Sequence, residues 1–394
     1  MNKVIVVSEL YYPDKTSTAY ILTRIADSLA VNNELMVICS ESSYGNENVV
    51  NGAVCKNYPI VRVKSNKYDK NKIISRVRNL CSNSWYLINA IRKEVRSGDK
   101  VVIVTNPAPL LLCTALLKHF KKFSLTIIVH DIFPENAIAA KLIKSERNLI
   151  YRGLKGIFNW AYSSADNLIV LGRDMKDVIE NKIAKVKKCP SVYIIENWAD
   201  EFDEYHEEST DNDFIELLYA GNIGRCQGLE MFVELFSKLD NDNLKLSIRG
   251  GGAIEQNIKD FIFTNSVKNI NLGGPYIRDE QFSILSHCDI ALITLAKGMY
   301  GLGVPSKAYN ILAAGKAILF VGDLYSEIAL MIKENNIGFC FDSDDNVGLI
   351  NWLNNLKLKD KSLLHEMGRR SRELALVKYS SSEILKKYHN ILDL

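Results

Sequence analysis

The strongest constraint on this chain is an alternation of short β-branched apolar runs with longer amphipathic stretches, which occurs twice along the sequence. Such runs are typical of strands buried on both faces of a parallel sheet, and the stretches between them have helical periodicity. In the first half the predicted strands are Val4–Val7, Leu35–Cys39, Val101–Thr105, Thr126–Val129, Leu168–Leu171 and Val192–Ile195. In the second half they are Leu217–Ala220, Leu244–Ile248, Ile270–Leu272, Ile290–Thr294, Ile318–Val321 and Gly338–Phe341. The pattern predicts an α/β architecture with two doubly wound, Rossmann-like domains.

A polar, acidic segment without periodicity, Asn197–Asp213, separates the two halves. It can bury little apolar surface, so we predict that it joins two domains. A chain of 394 residues also fits two domains better than one. We predict an N-terminal domain of residues 1–198 and a C-terminal domain of residues 199–375, with a helix in about 376–394 packing back on the first. Because open α/β sheets bind ligands at the carboxyl ends of their strands, we expect the domains to face each other across a cleft.

The net charge of +3 gives no reason to expect nucleic-acid binding, and we predict none. The distribution of charge is uneven, since the segment Lys56–Lys100 holds twelve Lys or Arg residues against three acidic ones. A basic patch of this kind suits an anionic membrane surface or a phosphate-bearing substrate. A solvated helical face explains the patch equally well.

The eight cysteines are scattered singly and no C-x-x-C motif occurs, so neither a zinc site nor a disulfide framework is predicted. Single cysteines, together with an amino terminus that has no signal-sequence pattern, indicate a reduced, cytoplasmic protein. The longest apolar run, Pro107–Leu117, is too short to span a bilayer. Any contact with a membrane is therefore expected to be peripheral.

The most informative segment is residues 301–315, GLGVPSKAYNILAAG. Gly303 allows close backbone approach, and Pro305 suits the first position of a helix that the final glycine would stop. Free N–H groups at that helix start, together with Lys307, predict an anion site. Asn310 lies one turn further along the same face, where it could reach a ribose hydroxyl. A core helix with a solvated lysine is the alternative interpretation.

Two glycine-rich turns follow predicted strands in the same half of the chain. Residues 219–228, YAGNIGRCQG, contain three glycines that would bring backbone close to a phosphate, and Arg225, which could clamp one. Residues 249–252, RGGG, end another strand in the same way. One such turn is weak support for a phosphate site, but several in one domain favour it.

These motifs, with the run Leu312–Lys316, resemble in kind and order those of the family 4 glycosyltransferases, in particular the bacterial branch that builds capsule and O-antigen repeat units. The likeness covers nearly the whole chain. It implies a GT-B fold, a retaining hexosyltransferase mechanism that requires no metal or other cofactor, and nucleotide binding by the second domain. It also implies a nucleotide-sugar donor, with UDP the expected nucleotide. An N-acetylated amino or deoxy sugar would pass to a lipid-linked saccharide acceptor in surface polysaccharide biosynthesis.

Two departures from the family pattern concern the donor site. The family usually has a glutamate at the position of Asn310, where it grips the ribose hydroxyls, and asparagine lacks that charge. The family's phosphate-binding arginine and lysine fall on Asn222 and Gln227, which are both neutral. Arg225 and Lys307 are therefore the predicted charge clamp.

In the first half, the predicted strand Thr126–Val129 runs directly into His130-Asp-Ile-Phe-Pro-Glu135. Ionisable groups at the carboxyl end of a strand are typical of a functional site. The alternative is that His130 caps the strand and Glu135 begins the next helix. The resemblance implies that a histidine in this neighbourhood contacts the donor sugar.

The predicted site residues fall into four groups. The catalytic candidates are His130, Asp131 and Glu135. The donor diphosphate is expected to contact Arg225, Gly303, Val304, Ser306 and Lys307. The nucleoside is expected to contact Asn222, Gln227, Gly251, Asn310 and Glu327. The acceptor-side loop after the first strand offers the hydroxyls of Thr16, Ser17 and Thr18, which could equally cap a helix.

Two other functions remain open from the sequence. A UDP-sugar epimerase of the same fold would use the same diphosphate site without an acceptor, although the basic patch disfavours it. An inactive nucleotide-sugar-binding partner protein would account for the neutral residues Asn222, Gln227 and Asn310. A nicotinamide dehydrogenase is not expected, because no predicted strand leads into G-x-G-x-x-G with a downstream acid.

Overall fold

The computed structural model describes residues 2–14, 16–41, 56–65, 73–139, 143, 145–184, 189–200 and 212–392, which form two compact units. The first unit takes in Met1–Ile138, Ile143–Ile195 and Leu385–Leu394, and the second is built around Glu196–Ile384. Each unit contains one parallel sheet covered by helices, as the strand and helix pattern predicts.

The first unit is built on a seven-stranded sheet with the order β3-β2-β1-β4-β5-β6-β7. Its strands are β1 (Val4–Ser8), β2 (Leu35–Ser40), β3 (Ile60–Val63), β4 (Lys100–Val104), β5 (Ser124–Val129), β6 (Asn167–Val170) and β7 (Ser191–Ile194). Its helices are α1 (Ser17–Leu29), α2 (Ile73–Glu94), α3 (Ala108–Lys121), α4 (Glu135–Ala139), α5 (Leu149–Ser163) and α6 (Arg173–Ile183).

The central strands of this sheet were predictable because helices cover them on both faces. Every residue of β1 is buried, so its sequence is a continuous apolar run. The apolar pattern of the sequence does not predict the edge strand β3. None of its four residues is buried and Arg62 interrupts the run, so it lacks the apolar signal of a central strand.

The second unit is built on a six-stranded sheet with the order β10-β9-β8-β11-β12-β13. Its strands are β8 (Ile215–Ala220), β9 (Leu244–Arg249), β10 (Ile270–Gly274), β11 (Ile290–Thr294), β12 (Ala317–Val321) and β13 (Gly338–Phe341). Its helices are α7 (Leu229–Phe236), α8 (Glu255–Thr264), α9 (Gln281–Ser286), α10 (Lys307–Ala313), α11 (Glu327–Asn335), α12 (Asn346–Asn355) and α13 (Lys361–Val377).

In both sheets the strand order reverses beside the strand that opens the unit. In the second unit β8 lies between β9 and β11, and in the first β1 lies between β2 and β4. Open α/β sheets bind ligands outside the carboxyl ends of the strands at such a reversal. In the second unit, the loops that follow β8 and β11 are those that carry the predicted phosphate-binding motifs.

The division of the chain differs slightly from the predicted one. The chain enters the second unit at Glu196, a little before the predicted boundary after residue 198. It returns to the first unit at Leu385, later than predicted, because α13 packs against α10 and β12 of the second unit. The backbone N–H of Ala199 also donates to the carbonyl of Tyr379 at 2.8 Å, which holds that stretch in the second unit.

The last described helix, α14 (Ser381–Leu392), carries the chain back into the first unit. Its His389 Nε2 lies 2.6 Å from Ser28 Oγ of α1. Lys100, which opens β4, donates from Nζ to the carbonyl of Leu392 at 2.8 Å. The C-terminal helix therefore completes the first unit, as the sequence predicts.

No helix within these described ranges is both long and apolar enough to cross a membrane.

Candidate active site

The glycine turns after β8 and β9 approach each other too closely for side chains. A Cβ placed on Gly250, whose φ is +139°, would lie 1.8 Å from the carbonyl oxygen of Gly221. A Cβ on Gly252 would lie 2.3 Å from the carbonyl oxygen of Ile223. Hydrogen bonds from Gly221 N–H to Arg249 and from Ile223 N–H to Gly251 tie the turns together at 2.9 and 3.0 Å. Gly250 and Gly252 are therefore required for the backbones of the two turns to pack together. At Gly221, in contrast, a Cβ would meet only the side chain of Lys307, at 3.6–3.7 Å.

The helix that follows β11 is shorter than the sequence predicts. It begins at Lys307 rather than at Pro305 and ends at Ala313. Ser306 caps it in the right-handed helical conformation, without a hydrogen bond from its side chain. Seven residues align few peptide dipoles, so any strong anion attraction at this point must come from the charge of Lys307.

Lys307 brings this helix start to the glycine turn after β8. Its Nζ lies 3.5 Å from the centroid of the Tyr219 ring and 3.7 Å from the position a Cβ would take on Gly221. The Nζ is buried and has no hydrogen-bond partner, so the interpretation of a solvated lysine is wrong. Burial lowers the pKa of Lys307 from 10.5 to about 7. An unpaired buried ammonium is costly, and a bound anion would relieve that cost.

Three other predicted donor-site residues lie in the turn after β8. Arg225 and Asn222 are exposed, and Gln227 is half-buried in the 3₁₀ turn that Arg225 begins. Arg249, at the end of β9, has a buried Nε without a partner. The sequence motif contained Arg249, but only the structure shows that this one nitrogen of its guanidinium is left without a hydrogen bond.

Asn310 is fully engaged within the second unit. Its Nδ2 donates to Asp200 Oδ2 at 3.1 Å and to Gln281 Oε1 at 3.0 Å, and its Oδ1 accepts from the backbone N–H of Asp200 at 3.1 Å. Arg278 pairs with the same carboxylate. The amide predicted to bind ribose is thus occupied, and it holds a carboxylate that the sequence did not single out.

The structure also describes three further predicted residues of the second unit. Gly303 is half-buried and Val304 is buried, both in the loop that leads to Lys307. Glu327 begins α11 and is almost fully buried, only 5% exposed. Its burial shows that this carboxylate is packed into the unit rather than presented on its surface.

In the first unit, the turn after β5 is held by two hydroxyl groups. The backbone N–H groups of His130 and Asp131 both donate to Thr105 Oγ1, at 3.2 and 3.1 Å. The N–H of Phe133 donates to the hydroxyl of Tyr162 at 3.2 Å. The Nε2 of His130 is buried without a partner, and burial lowers the pKa of His130 to about 4. The imidazole is therefore neutral near pH 7 and can donate or accept one hydrogen bond.

The two carboxylates of this turn already have partners. Asp131 Oδ1 accepts from Asn136 Nδ2 at 3.0 Å, and burial raises the pKa of Asp131. Glu135 begins α4, and both of its oxygens accept from Lys182 Nζ at 2.8 Å. This ion pair fixes α4 to α6, and the assignment of Glu135 as a catalytic group stays a prediction.

Comparison with known proteins shows the family. The family described as Glycosyl transferases group 1 matches residues 201–374. The probable glycosyltransferase WbjE of Pseudomonas aeruginosa is 31% identical over 401 residues, spanning 98% of this chain and 97% of that protein. This chain belongs to the group 1 glycosyltransferases. A putative colanic acid biosynthesis glycosyl transferase, WcaI of Escherichia coli K12, is 23% identical over 239 residues, covering 58% of this chain and 57% of its own.

Solved structures of low sequence identity share the fold of this glycosyltransferase. A sucrose-phosphate synthase from Thermosynechococcus elongatus superposes with a TM-score of 0.74 at 11% identity, covering 100% of this chain and 98% of its own. WaaG, a glycosyltransferase involved in lipopolysaccharide biosynthesis, has a TM-score of 0.69 at 14% identity and covers 98% of this chain and 99% of its own. Anabaena HepE, solved with UDP, has a TM-score of 0.68 at 11% identity, with 100% of both chains covered. These likenesses confirm the predicted GT-B fold.

The loop after β1, predicted to lie on the acceptor side, follows the helix-cap interpretation in part. Thr16 is the N-cap of α1, and its Oγ1 accepts from the backbone N–H of Ala19 at 3.2 Å. Ser17 is exposed and Thr18 is half-buried. Thr16 is thus committed to the helix, while the two following hydroxyls lie on its first turn.

The predicted basic patch Lys56–Lys100 is only partly a free surface of the glycosyltransferase. Lys56 pairs with Asp27 at 2.7 Å, Arg62 donates to the carbonyl of Tyr12 at 2.6 Å, and Lys100 is held by α14. Residues 66–72, with their three lysines, lie outside the described residues. Among the described residues of the segment, the exposed cations other than Arg62 are Lys64, Arg78, Arg92, Lys93 and Arg96.

Proposed function

We propose that this glycosyltransferase moves a sugar from a nucleoside diphosphate donor, with UDP as the nucleotide, to a lipid-linked saccharide in surface polysaccharide synthesis, with retention at the anomeric carbon. The observation that carries the proposal is the buried, unpartnered ammonium of Lys307 beside the glycine turn after β8. Relatives support the rest of it. HepE was solved with UDP, and the names of WcaI and WaaG refer to colanic acid and lipopolysaccharide biosynthesis.

The diphosphate is proposed to bind between the backbone of the glycine turns and Lys307. A phosphate there would give the ammonium its missing partner, and the exposed Arg225 would close over the second phosphate. As the anomeric C–O bond breaks, negative charge grows on the leaving diphosphate. Groups fixed before the reaction stabilise that charge at no further cost of reorganisation. The loop that leads to Lys307 would contact the same diphosphate through Gly303, Val304 and Ser306.

The ribose is proposed to bind to the carboxylate of Asp200, which Asn310 holds in place, and not to Asn310 itself. Asn310 and Arg278 fix Asp200 from two sides. A carboxylate accepts hydrogen bonds from vicinal hydroxyls more strongly than an amide oxygen does. Asp200 would thus supply the charge that Asn310 lacks. The rest of the nucleoside would be contacted by Asn222, Gln227 and Gly251, with Glu327 in a supporting role.

The His130 turn is proposed to serve the transferred sugar. A neutral imidazole with an unsatisfied Nε2 can bind a sugar hydroxyl without placing a positive charge beside the reacting carbon. Asp131 would orient the turn through Asn136, and Glu135 would position it through Lys182. The hydroxyls of Ser17 and Thr18 are proposed for the acceptor side, at an inner-membrane surface.

The experiment that tests the proposal is a thermal-shift panel of nucleoside diphosphates and nucleotide sugars, with a chelator present. We expect UDP to raise the Tm of the wild-type protein and not of Lys307→Met. Lys268→Met, which removes an exposed lysine of the same unit, should keep the full shift. An equal UDP shift in Lys307→Met would refute the site. Incubation with donor alone, followed by analysis for an epimer, separates transfer from epimerisation.

A further inference from the structure

Three neighbouring helices of the first unit carry most of its exposed apolar side chains. Helix α3 packs against α2 on one side and α5 on the other. Ten large apolar residues of the described first unit are exposed, and eight of them lie on these three helices. They are Val77, Trp85, Leu116, Phe120, Leu149, Ile150, Ile157 and Trp160. We call this surface the α2–α3–α5 face.

The apolar residues of the face form stripes and are not scattered. On α2, Val77 and Trp85 are separated by two helical turns, with the exposed Cys81 between them. On α5, residues 149, 150, 153, 156, 157 and 160 are exposed at helical spacing, and a Cβ on either glycine of this set would meet nothing within 4 Å. Large exposed apolar side chains that recur on neighbouring helices are typical of an interaction site.

The charge of the face has one sign. The 51 residues of α2 (22), α3 (14) and α5 (15) contain eight Lys or Arg residues and a single acid. That acid, Glu94, is the last residue of α2 and already pairs with Lys3 at 3.7 Å. Two further cations pair with acids outside the three helices, Lys118 with Asp166 at 2.8 Å and Lys155 with Glu135 at 3.8 Å. The three helices supply no acid to their exposed cations, which are Arg78, Arg92, Lys93, Lys121 and Arg152, and an anionic partner would balance these charges.

Apolar and cationic side chains meet where α3 and α5 end. Lys118 Nζ of α3 donates to the carbonyl of Ser164, the C-cap of α5, at 2.7 Å, so the two helix ends lie together. Phe120 is 73% exposed and Trp160 is 46% exposed at these ends. Lys121 and the next residue, Lys122, are also exposed. Aromatic rings beside lysines are the composition found at membrane–water interfaces, where the ring enters the headgroup layer and the ammonium binds lipid phosphate.

We propose that the α2–α3–α5 face docks this glycosyltransferase on an anionic lipid bilayer. A second copy of the chain is a poor occupant, because a two-fold interface would set one cationic face against its equal. The proposal goes beyond the substrates proposed above. It extends the predicted patch Lys56–Lys100, which includes α2, to two helices whose role the sequence did not indicate.

The test measures co-sedimentation of the full chain with vesicles of phosphatidylcholine alone or with 30% phosphatidylglycerol, without donor or acceptor. We expect binding only to the anionic vesicles. Each lysine near an anionic surface contributes about 1 kcal/mol, so Lys121→Gln/Lys122→Gln should weaken binding about 30-fold. The matched control, Lys268→Gln/Lys357→Gln, alters two exposed lysines of the second unit and should leave binding unchanged.

The apolar part of the face is tested separately. Phe120→Ser/Trp160→Ser should weaken vesicle binding roughly tenfold, since each ring loses its burial in the headgroup layer. Phe263→Ser, which removes an 86% exposed ring from the second unit, should have no effect. In the wild-type protein, brominated lipids should quench Trp fluorescence, and Trp85→Phe/Trp160→Phe should abolish the quenching.

Three results would overturn the proposal. They are no binding to anionic vesicles, binding that Phe120→Ser/Trp160→Ser leaves unchanged, and a concentration-dependent dimer that this variant converts to a monomer. Because no substrate is present, none of these results touches the proposed donor site, which the UDP thermal shift tests alone.

Discussion

Lys307 should make donor binding depend on pH in a way that identifies it. In the ligand-free protein its pKa is about 7, because the ammonium is buried beside Tyr219 without a partner. A bound diphosphate would supply the counter-charge and restore the pKa toward 10 or above. Above pH 7 the lysine is mostly neutral before binding and charged afterwards, so binding must take up a proton.

The magnitude follows from the two protonation states. With a pKa of about 7, roughly 0.9 of the lysine is neutral at pH 8, so UDP should bind with uptake of about 0.9 proton. Affinity should fall about tenfold for each pH unit between 7.5 and 9. The diphosphate itself is nearly fully ionised over this range and adds little to the slope. Calorimetry in buffers of different ionisation enthalpy measures the uptake directly.

The same lysine affects stability in the opposite direction. Its lowered pKa means that the unfolded chain binds more protons between pH 7 and 10.5, so the folded state gains stability as pH rises through that window. Charging Lys307 in the folded, ligand-free protein costs roughly 5 kcal/mol. Lys307→Met should therefore be more stable than wild type at pH 7, with the gap closing toward pH 10. A pH-independent UDP affinity, or a destabilised Lys307→Met protein, would refute the reasoning.

Three further predictions concern other parts of the two units. Asp200→Asn should weaken UDP binding in the same thermal-shift assay by roughly tenfold, since a charge-assisted contact is replaced by a neutral one, and an unchanged affinity would remove Asp200 from the ribose site. His130→Gln should lower kcat, while the wild-type rate should show no titration of His130 between pH 6 and 8, because its pKa is about 4; an inflection near pH 6.5 that vanishes in the variant would contradict this. Gly250→Ala should fail to fold or lose several kcal/mol of unfolding free energy, because its Cβ would lie 1.8 Å from the Gly221 carbonyl oxygen. Gly156→Ala has open space around it and should gain about 0.5–1 kcal/mol of unfolding free energy, measured by chemical denaturation.

The fold was largely predictable because its signal is local. Strands buried on both faces, such as β1 and β12, are unbroken apolar runs, and the motif-bearing loops that follow β8 and β11 mark the reversal of strand order. The half-exposed edge strand β3 has no such run. The late return of the chain depends on packing of α13 against distant elements, which no local pattern encodes.

The candidate site was predictable in its charges but not in their partners. Lys307 and His130 stand in motifs, so the sequence identifies them. The sequence does not show that Glu135 pairs with Lys182 or that Asn310 holds Asp200, because these partners are 47 and 110 positions apart in the chain. The degree of burial was not predictable either. Lys307 is buried and therefore partly neutral, whereas Arg225 is exposed.

The route of the chain also bears on how the protein is made. The first unit contains residues from Leu385 onward, held by His389 against Ser28 and by Leu392 against Lys100. A ribosome releases these residues only after the whole of the second unit has been synthesised. The half that is translated first is therefore the half that is completed last. A nascent chain stopped before residue 385 should contain the complete six-stranded sheet of the second unit and a seven-stranded sheet of the first unit that still lacks its closing helix.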